Sequence, residues 1–184
     1  MVLKTRTSLA EFLALPETKP YLELMDGEVI EKPMPNYTHG TIVGLLMQLL
    51  RNYLDRTREA RVVTEVRHLE DDEEWVFLPD VSVTRRERSG PPSESGPIAV
   101  VMPDLAIEVL SPDDRPGRLQ RRIAHYMRSG VSILWVIDPQ DEKLTVWRPG
   151  ALPQDFAPPA TVSASPVLES FELDLQQLFD ALRD

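Results

Sequence analysis

Two acidic residues interrupt apolar, β-rich runs: Glu108 in MPDLAIEVL and Asp80 in FLPDVSV. In the first run Leu105, Ile107 and Val109 alternate toward a core, which leaves Asp104, Ala106 and Glu108 on the other face. A carboxylate inside an apolar strand is costly to bury unless it is paired, protonated or bound to a cation. An ion pair with a nearby Arg would satisfy Glu108, and so would a divalent cation shared with a second acid. Asp104 is a poor partner for sharing. Four residues along a strand span about 13 Å, whereas Mg²⁺ takes oxygens at about 2.0–2.1 Å. Asp80 is better placed if its strand lies beside 104–110, because adjacent strands are about 4.8 Å apart. Two carboxylates suit Mg²⁺ or Mn²⁺ rather than zinc. The matching chemistry is phosphodiester hydrolysis through a polarised phosphoryl oxygen and an activated water. That chemistry also wants a fixed cation near the developing charge.

The elements that must position these groups are legible in outline. Ser8 and Glu11 form a capping-box pattern for a short helix over 9–15, stopped before Pro16. Residues 21–24 and 28–31 flank Met25-Asp26-Gly27, a hairpin signal. From Thr38 or His39 the longest helical stripe (Ile42, Leu45, Leu46, Leu49, Leu50, Tyr53) runs to about 55–58. Strands are expected over 61–68 and 75–83, joined by the acidic turn EDDEE. A Gly/Pro/Ser-rich loop follows over 85–97, then a strand over 104–110. Helical spacing over 117–129 ends at Gly130, and Asp113 and Asp114 are candidate caps. On this helix Arg122 flanks the buried stripe of Leu119, Ile123 and Tyr126, and leans over the sheet edge. Arg118 lies further out, and Arg121 and Arg128 face water. Residues 132–138 and 143–148 form a second hairpin, and a short helix over 174–182 closes the chain. The order predicts a mixed α/β domain with a helix-covered central sheet, one domain over 1–184. A doubly wound nucleotide-binding fold is disfavoured because no Gly-rich phosphate loop follows a strand.

Composition narrows the options. Twenty basic residues against 30 acidic ones give −10, a charge that repels nucleic acid at long range and argues against a general DNA-coating role. Four of the 20 are Lys, so 16 are Arg. Seven of these crowd 85–88 (RRER) and 115–122 (RPGRLQRR), where they are expected to form a local positive rim. There is no Cys, which excludes disulfides and thiolate catalysis. No nucleophile elbow supports acyl chemistry. No stretch reaches the roughly 18 apolar residues of a membrane span, so a cytoplasmic protein is the expectation. His39, His68 and His125 lack ligand spacing to one another, and Trp135 and Trp147 are expected to pack.

Together PDVSV (79–83), PDLAIEVLSPDDR (103–115) and RRIAHYMRSGVSILWVIDP (121–139) closely resemble the Uma2 family of the PD-(D/E)XK nuclease-like superfamily. YLELMDGEVIEKPMPNYTHGTIVGLLMQLL and ESFELDLQQLF extend the resemblance over about 8–182. It implies a restriction-endonuclease-like core, a mixed sheet flanked by helices, with a hairpin at each end. It also implies a metal-dependent endonuclease acting on DNA. Asp80 and Glu108 would bind Mg²⁺ or Mn²⁺, aided by the Val109 carbonyl. Arg122, at the position of a motif lysine that has moved onto the helix, would contact phosphate. Leu110 stands where the ordinary superfamily pattern has its lysine. Glu28, Glu31 and His39 match acidic and His positions that would lie at the rim, with Arg118 beside them. Arg stays protonated and carries a larger planar fork than Lys, so Arg122 cannot easily act as a base. No Lys lies between 33 and 142, which leaves Lys32 as the one conceivable migrated substitute. Nuclease-like cores often work as dimers. The competing expectation is a cleavage-impaired module that binds DNA or a protein partner. A third is another Mg²⁺-dependent phosphotransfer or hydrolytic enzyme.

Overall fold

A computed structural model describes residues 6–69, 75–90 and 101–183. The N-terminal segment folds by local rules. Helix α1 (Leu9–Leu13) carries the expected capping box, with Ser8 Oγ accepting from Glu11 N and the Glu11 carboxylate accepting from Ser8 N. Strands β1 (Leu22–Met25) and β2 (Glu28–Glu31) pair antiparallel around Asp26 and Gly27. Both turn residues have positive φ, 55° and 71°, the conformation that makes Asp-Gly a two-residue hairpin turn. A Cβ at Gly27 would also lie 2.9 Å from the Arg6 side chain. Gly27→Ala is therefore expected to cost about 1–2 kcal/mol, read as a lower urea midpoint with unchanged slope.

Helix α2 (Tyr37–Thr57) starts one residue earlier than expected and is capped by Asn36, whose Oδ1 accepts from His39 N at 2.8 Å. The two long β runs that follow do not form one hairpin. Each splits: 60–69 into β3 (Ala60–Thr64) and β4 (His68–Leu69), and 75–85 into β5 (Trp75–Phe77) and β6 (Val81–Arg85). Strand β3 pairs with β6, while β4 pairs with β5 in a different sheet. Pro79 offers no N–H to a ladder, and the chain crosses from one sheet to the other at Leu78–Asp80. The acidic turn at 70–74 and the 91–97 part of the Gly/Pro/Ser-rich loop lie outside the described residues. The start of that loop, Arg86–Ser89, is the short helix α3.

Next come β7 (Leu105–Val109), α4 (Pro116–Tyr126), β8 (Ile133–Asp138), β9 (Lys143–Trp147), β10 (Gln154–Phe156), β11 (Thr161–Ser163), β12 (Glu172–Asp174) and α5 (Leu175–Asp180). The main sheet is mixed, in the order β10-β9-β8-β7-β6-β3, with β7 and β8 parallel. A four-stranded sheet, β2-β1-β5-β4, and the pair β11-β12 complete the β structure. Asp113 and Asp114 do not cap α4. Arg115 is the N-cap, without a side-chain bond, and Pro116 occupies the first turn, where its missing N–H costs nothing. Asp114 instead closes the preceding turn by accepting from Ser111 N at 2.7 Å.

The central strands of the main sheet, β6, β7 and β8, are buried on both faces. One side packs Val81, Val83, Leu105, Ile107 and Val109 against α2 and α5. The other packs Ala106, Leu134 and Val136 against Ile123 and Tyr126 of α4 and against Met25, Trp75 and Phe77 of the smaller sheet. The face of β7 that carries Ala106 and Glu108 is thus a second interior, as befits a strand with a parallel neighbour. Trp135 is fully buried and Trp147 packs at the edge of the second core. Among the described residues no helix is long and apolar enough to cross a membrane.

Candidate active site

Strand pairing brings the two acids together. β6 and β7 are antiparallel with Val81 opposite Ile107, so one further step sets Asp80 opposite Glu108. Both carboxylates are 3% exposed and lie between the main sheet and the smaller one. Asp80 Oδ2 accepts from Val109 N at 2.7 Å, which ties it to the residue beside Glu108. The Val109 group found on Asp80 is thus its N–H.

Each acid meets a different cation. Lys32, at the end of the first hairpin, places Nζ 2.7 Å from Asp80 Oδ1 and donates to the Leu78 carbonyl at 2.6 Å. His39 places Nε2 3.1 Å from Asp80 Oδ2. Arg122 donates to Glu108 Oε2 at 3.1 Å and to Glu23 Oε2 through its other terminal nitrogen. Tyr126 donates to Glu108 Oε1 at 2.7 Å, and Glu23 Oε1 accepts from Leu78 N at 2.9 Å. Glu23 and Lys32 therefore hold both backbone groups of Leu78, at the crossing between sheets that delivers Asp80.

Several expectations change on this geometry. Arg122 was expected to reach a phosphate, yet both terminal nitrogens are engaged by carboxylates, and the residue is buried. Lys32 is the cation on Asp80. The hairpin acid that enters the cluster is Glu23, not Glu28 or Glu31. Glu28 is 40% exposed and lies 3.8 Å from Arg121, and Glu31 is exposed. Glu23 had the same signature as the other two, an acid inside the apolar strand YLELM. His39 is buried against Asp80 and is no rim residue. Arg118 is half-exposed on α4. The 85–88 stretch is no rim either, because it starts at the far end of β6 whereas Asp80 precedes its first residue, a separation of about 16 Å. Arg88 there pairs with buried Asp104 at 2.7 Å and Arg85 donates to the Pro166 carbonyl. The second Pro-Asp pair is thus a clamp on that stretch.

The electrostatics follow from burial in company. Burial would push Asp80 up, but His39 and Lys32 outweigh it and hold the carboxyl well below the usual carboxylate range. Burial works against the charge on Lys32, but Asp80, Glu108 and Glu23 together keep its pKa raised, so the ammonium persists. Burial pushes Glu108 up to about 7, against the pull of Arg122 and with Asp80 adding to the rise. A carboxyl raised in the fold stabilises fully below its ordinary value of 4.5 and loses that contribution as pH climbs to about 7. Glu108→Gln, which cannot ionise, should therefore gain on the parent as pH rises through that window. Urea melts of both proteins from pH 4 to about 8 check this, and a constant difference would refute it.

Do these side chains suit a divalent cation? Among the described residues no three His, Asp or Glu side chains stand as a metal-ligating group. Lys32 and Arg122 lie against the acids instead. Mg²⁺ nevertheless needs only one or two carboxylates when substrate phosphate and water complete its shell. The two carboxylates form an all-oxygen pair of the kind that suits a hard cation. Asp80 Oδ1 lies 2.7 Å from the Lys32 ammonium, so a cation bound there would share that oxygen with Lys32.

The family model Uma2, described as "Putative restriction endonuclease", matches residues 9–176. No curated protein matches the chain in sequence. Among solved structures the chain is similar to a protein of Anabaena variabilis described as a "putative nuclease belonging to DUF820". The two share 31% identity and a TM-score of 0.87, over 95% of this chain and 98% of that one. With a family match over nearly its whole length and a structural relative of that similarity, the chain belongs to the Uma2 family.

Proposed function

We propose that the chain is a metal-dependent endonuclease that hydrolyses phosphodiester bonds in nucleic acid, with DNA as the expected substrate. The observation that carries this reading is the placement of Asp80 and Glu108 opposite each other on adjacent strands, with the Lys32 ammonium on Asp80. Family membership supports the reaction class. Asp80 and Glu108 would hold Mg²⁺ or Mn²⁺, with the Val109 carbonyl as a further oxygen. The bound ion supplies a polarised phosphoryl oxygen and a water of lowered pKa.

The protein's own groups do the rest. Lys32, held protonated, stabilises negative charge that grows on the phosphate. It does not act as a base. Val109 N and His39 fix the Asp80 carboxylate, and Tyr126 and Arg122 fix that of Glu108. Arg122 works through Glu108 and is a positioning residue. Glu108 must be ionised to bind a cation, so affinity should rise with pH toward and above about 7.

The test is incubation of the full chain with supercoiled plasmid and with short duplex and single-stranded oligonucleotides, with Mg²⁺, Mn²⁺ or chelator. Metal-dependent cleavage supports the reading. A second reading, a nucleic-acid-binding relative that does not cleave, draws on the closed ion pairs that already neutralise the acids. Binding without cleavage, and no heat on metal titration, would select it.

A further inference from the structure

We infer that a phosphate of the substrate backbone enters a small cavity on the hairpin side of the site, and that Lys19 holds it there together with Lys32. This deepens the proposed activity and rests on it for the reaction, though not for the binding. The hairpin register sets the geometry. Glu23 stands opposite Ile30 and Leu22 opposite Glu31. One step further, Lys32 N donates to the Tyr21 carbonyl at 2.8 Å. Side chains directly opposite each other in an antiparallel pair share a face, as do residues two apart on one strand. Tyr21, Glu23 and Lys32 therefore share the face on which Glu23 meets Arg122 and Lys32 meets Asp80.

A cavity of about 90 Å³ lies along the edge of this face, lined by Lys19, Tyr21, Lys32, the 33–35 segment and Glu65. Lys32 joins it to the acids, because the Lys32 Nζ is 2.7 Å from Asp80 Oδ1. An ammonium has three N–H donors. The Leu78 carbonyl and Asp80 occupy two of those on Lys32, and the third has no partner among the described residues. Lys19 is exposed, with Nζ 5.8 Å from the centroid of the Tyr21 ring. Thr18 Oγ1 donates to the Pro20 carbonyl at 2.9 Å and fixes the segment that carries it.

No carboxylate claims Lys19. Glu17, its close neighbour in the chain, pairs with Arg67 at 2.7 Å, and Lys19 makes no ion pair among the described residues. Ammonium groups bind phosphate as point charges, and a cavity of roughly three waters' volume suits one such group. A phosphate held between Lys19 and Lys32 gains from both charges. Glu65, the acid of the cavity wall, works against it from a backbone anchored by its N–H on the Pro79 carbonyl at 3.3 Å. The two exposed charges thus have opposite expected effects on binding.

The test uses the full chain in chelator, so that nothing is cleaved, titrated into a fluorescein-labelled single-stranded oligonucleotide at several salt concentrations. Lys19→Gln should weaken binding about tenfold, the worth of one hydrogen bond to a charged group at an exposed position. It should also lower the slope of log affinity against log salt by about 0.7. Lys19→Arg should retain both, and Glu65→Gln should tighten binding. Arg51→Gln removes the same charge from an exposed position about 18 Å along α2 from His39, and should change neither. Because Lys19, Glu65 and Arg51 are exposed, all four variants should melt with the parent. In cleavage assays Lys19→Gln should raise KM about tenfold and spare kcat. Inorganic phosphate should displace the oligonucleotide only weakly. Equal losses from Lys19→Gln and Arg51→Gln, no loss from either, no binding by the parent, or inorganic phosphate binding as tightly as the oligonucleotide overturns the inference. Lys19-dependent binding by a protein that cleaves nothing would sink the proposed activity and leave the inference standing. Cleavage with the same KM in the parent and in Lys19→Gln would do the reverse.

Discussion

Asp80→Asn should abolish metal-dependent cleavage, by at least about 10²–10³-fold, while the protein stays folded. Asparagine keeps the shape and an oxygen acceptor for Val109 N, but removes the charge that faces Lys32 and His39. Calorimetric heat of Mg²⁺ or Mn²⁺ binding should vanish with the activity. Asp80→Ala is a poorer probe. It strips the Val109 amide of its acceptor and leaves the Lys32 ammonium buried with only the Leu78 carbonyl. Breaking a buried pair in this way costs about 3–5 kcal/mol, so lost activity would be mixed with lost fold. Undiminished cleavage by a folded Asp80→Asn protein would remove Asp80 from the reaction.

The second large effect separates the two cations. Arg122→Ala leaves Glu108 and Glu23 without their shared partner in the interior between the sheets. About 3–5 kcal/mol of stability should go. At about 2–4 °C per kcal/mol for a chain of this size, the melting temperature should fall by roughly 6–20 °C. Arg122→Lys keeps the charge but cannot span two carboxylates with one ammonium. It should lose part of that stability and keep cleavage within about tenfold, because Arg122 acts only through Glu108. Lys32→Met should behave in the opposite way. It removes the ammonium that faces Asp80 and should lower cleavage by about 10²-fold or more, with a smaller effect on melting because Asp80 keeps His39 and the Val109 N–H. The reverse ranking would move the working cation from Lys32 to Arg122.

The acids at 80 and 108 were legible in the sequence because each breaks an apolar run, and burial of a lone carboxylate is too costly to be incidental. Glu23 carries the same mark in YLELM. The mark does not stand out there, because a hairpin strand commonly has one wet face, which makes an alternating acid ordinary. Only the docking of the smaller sheet against β7 and α4 turns that face inward. Lys32 was a distant substitute in the sequence, since nothing local links it to Asp80 across 47 intervening residues. Arg122 sat correctly on its helix, at the edge of the buried stripe. Its pairing with Glu23, 99 residues away, had no sequence signal.

By itself the sequence determined what local physics controls. That comprises the capping box of α1, the Asp-Gly turn, the stripe of α2, the helix after β7, and two acids that demand a cation or a partner. These depend on neighbours within a few residues, where periodicity, caps and turn chemistry act. The tertiary structure alone decided where the β runs divide between two sheets, and hence which side chains surround the acids. Strand registry and sheet docking are set by contacts between segments far apart in the chain. The choice of Lys32 over Arg122 beside Asp80 became visible only once those segments had closed on one another.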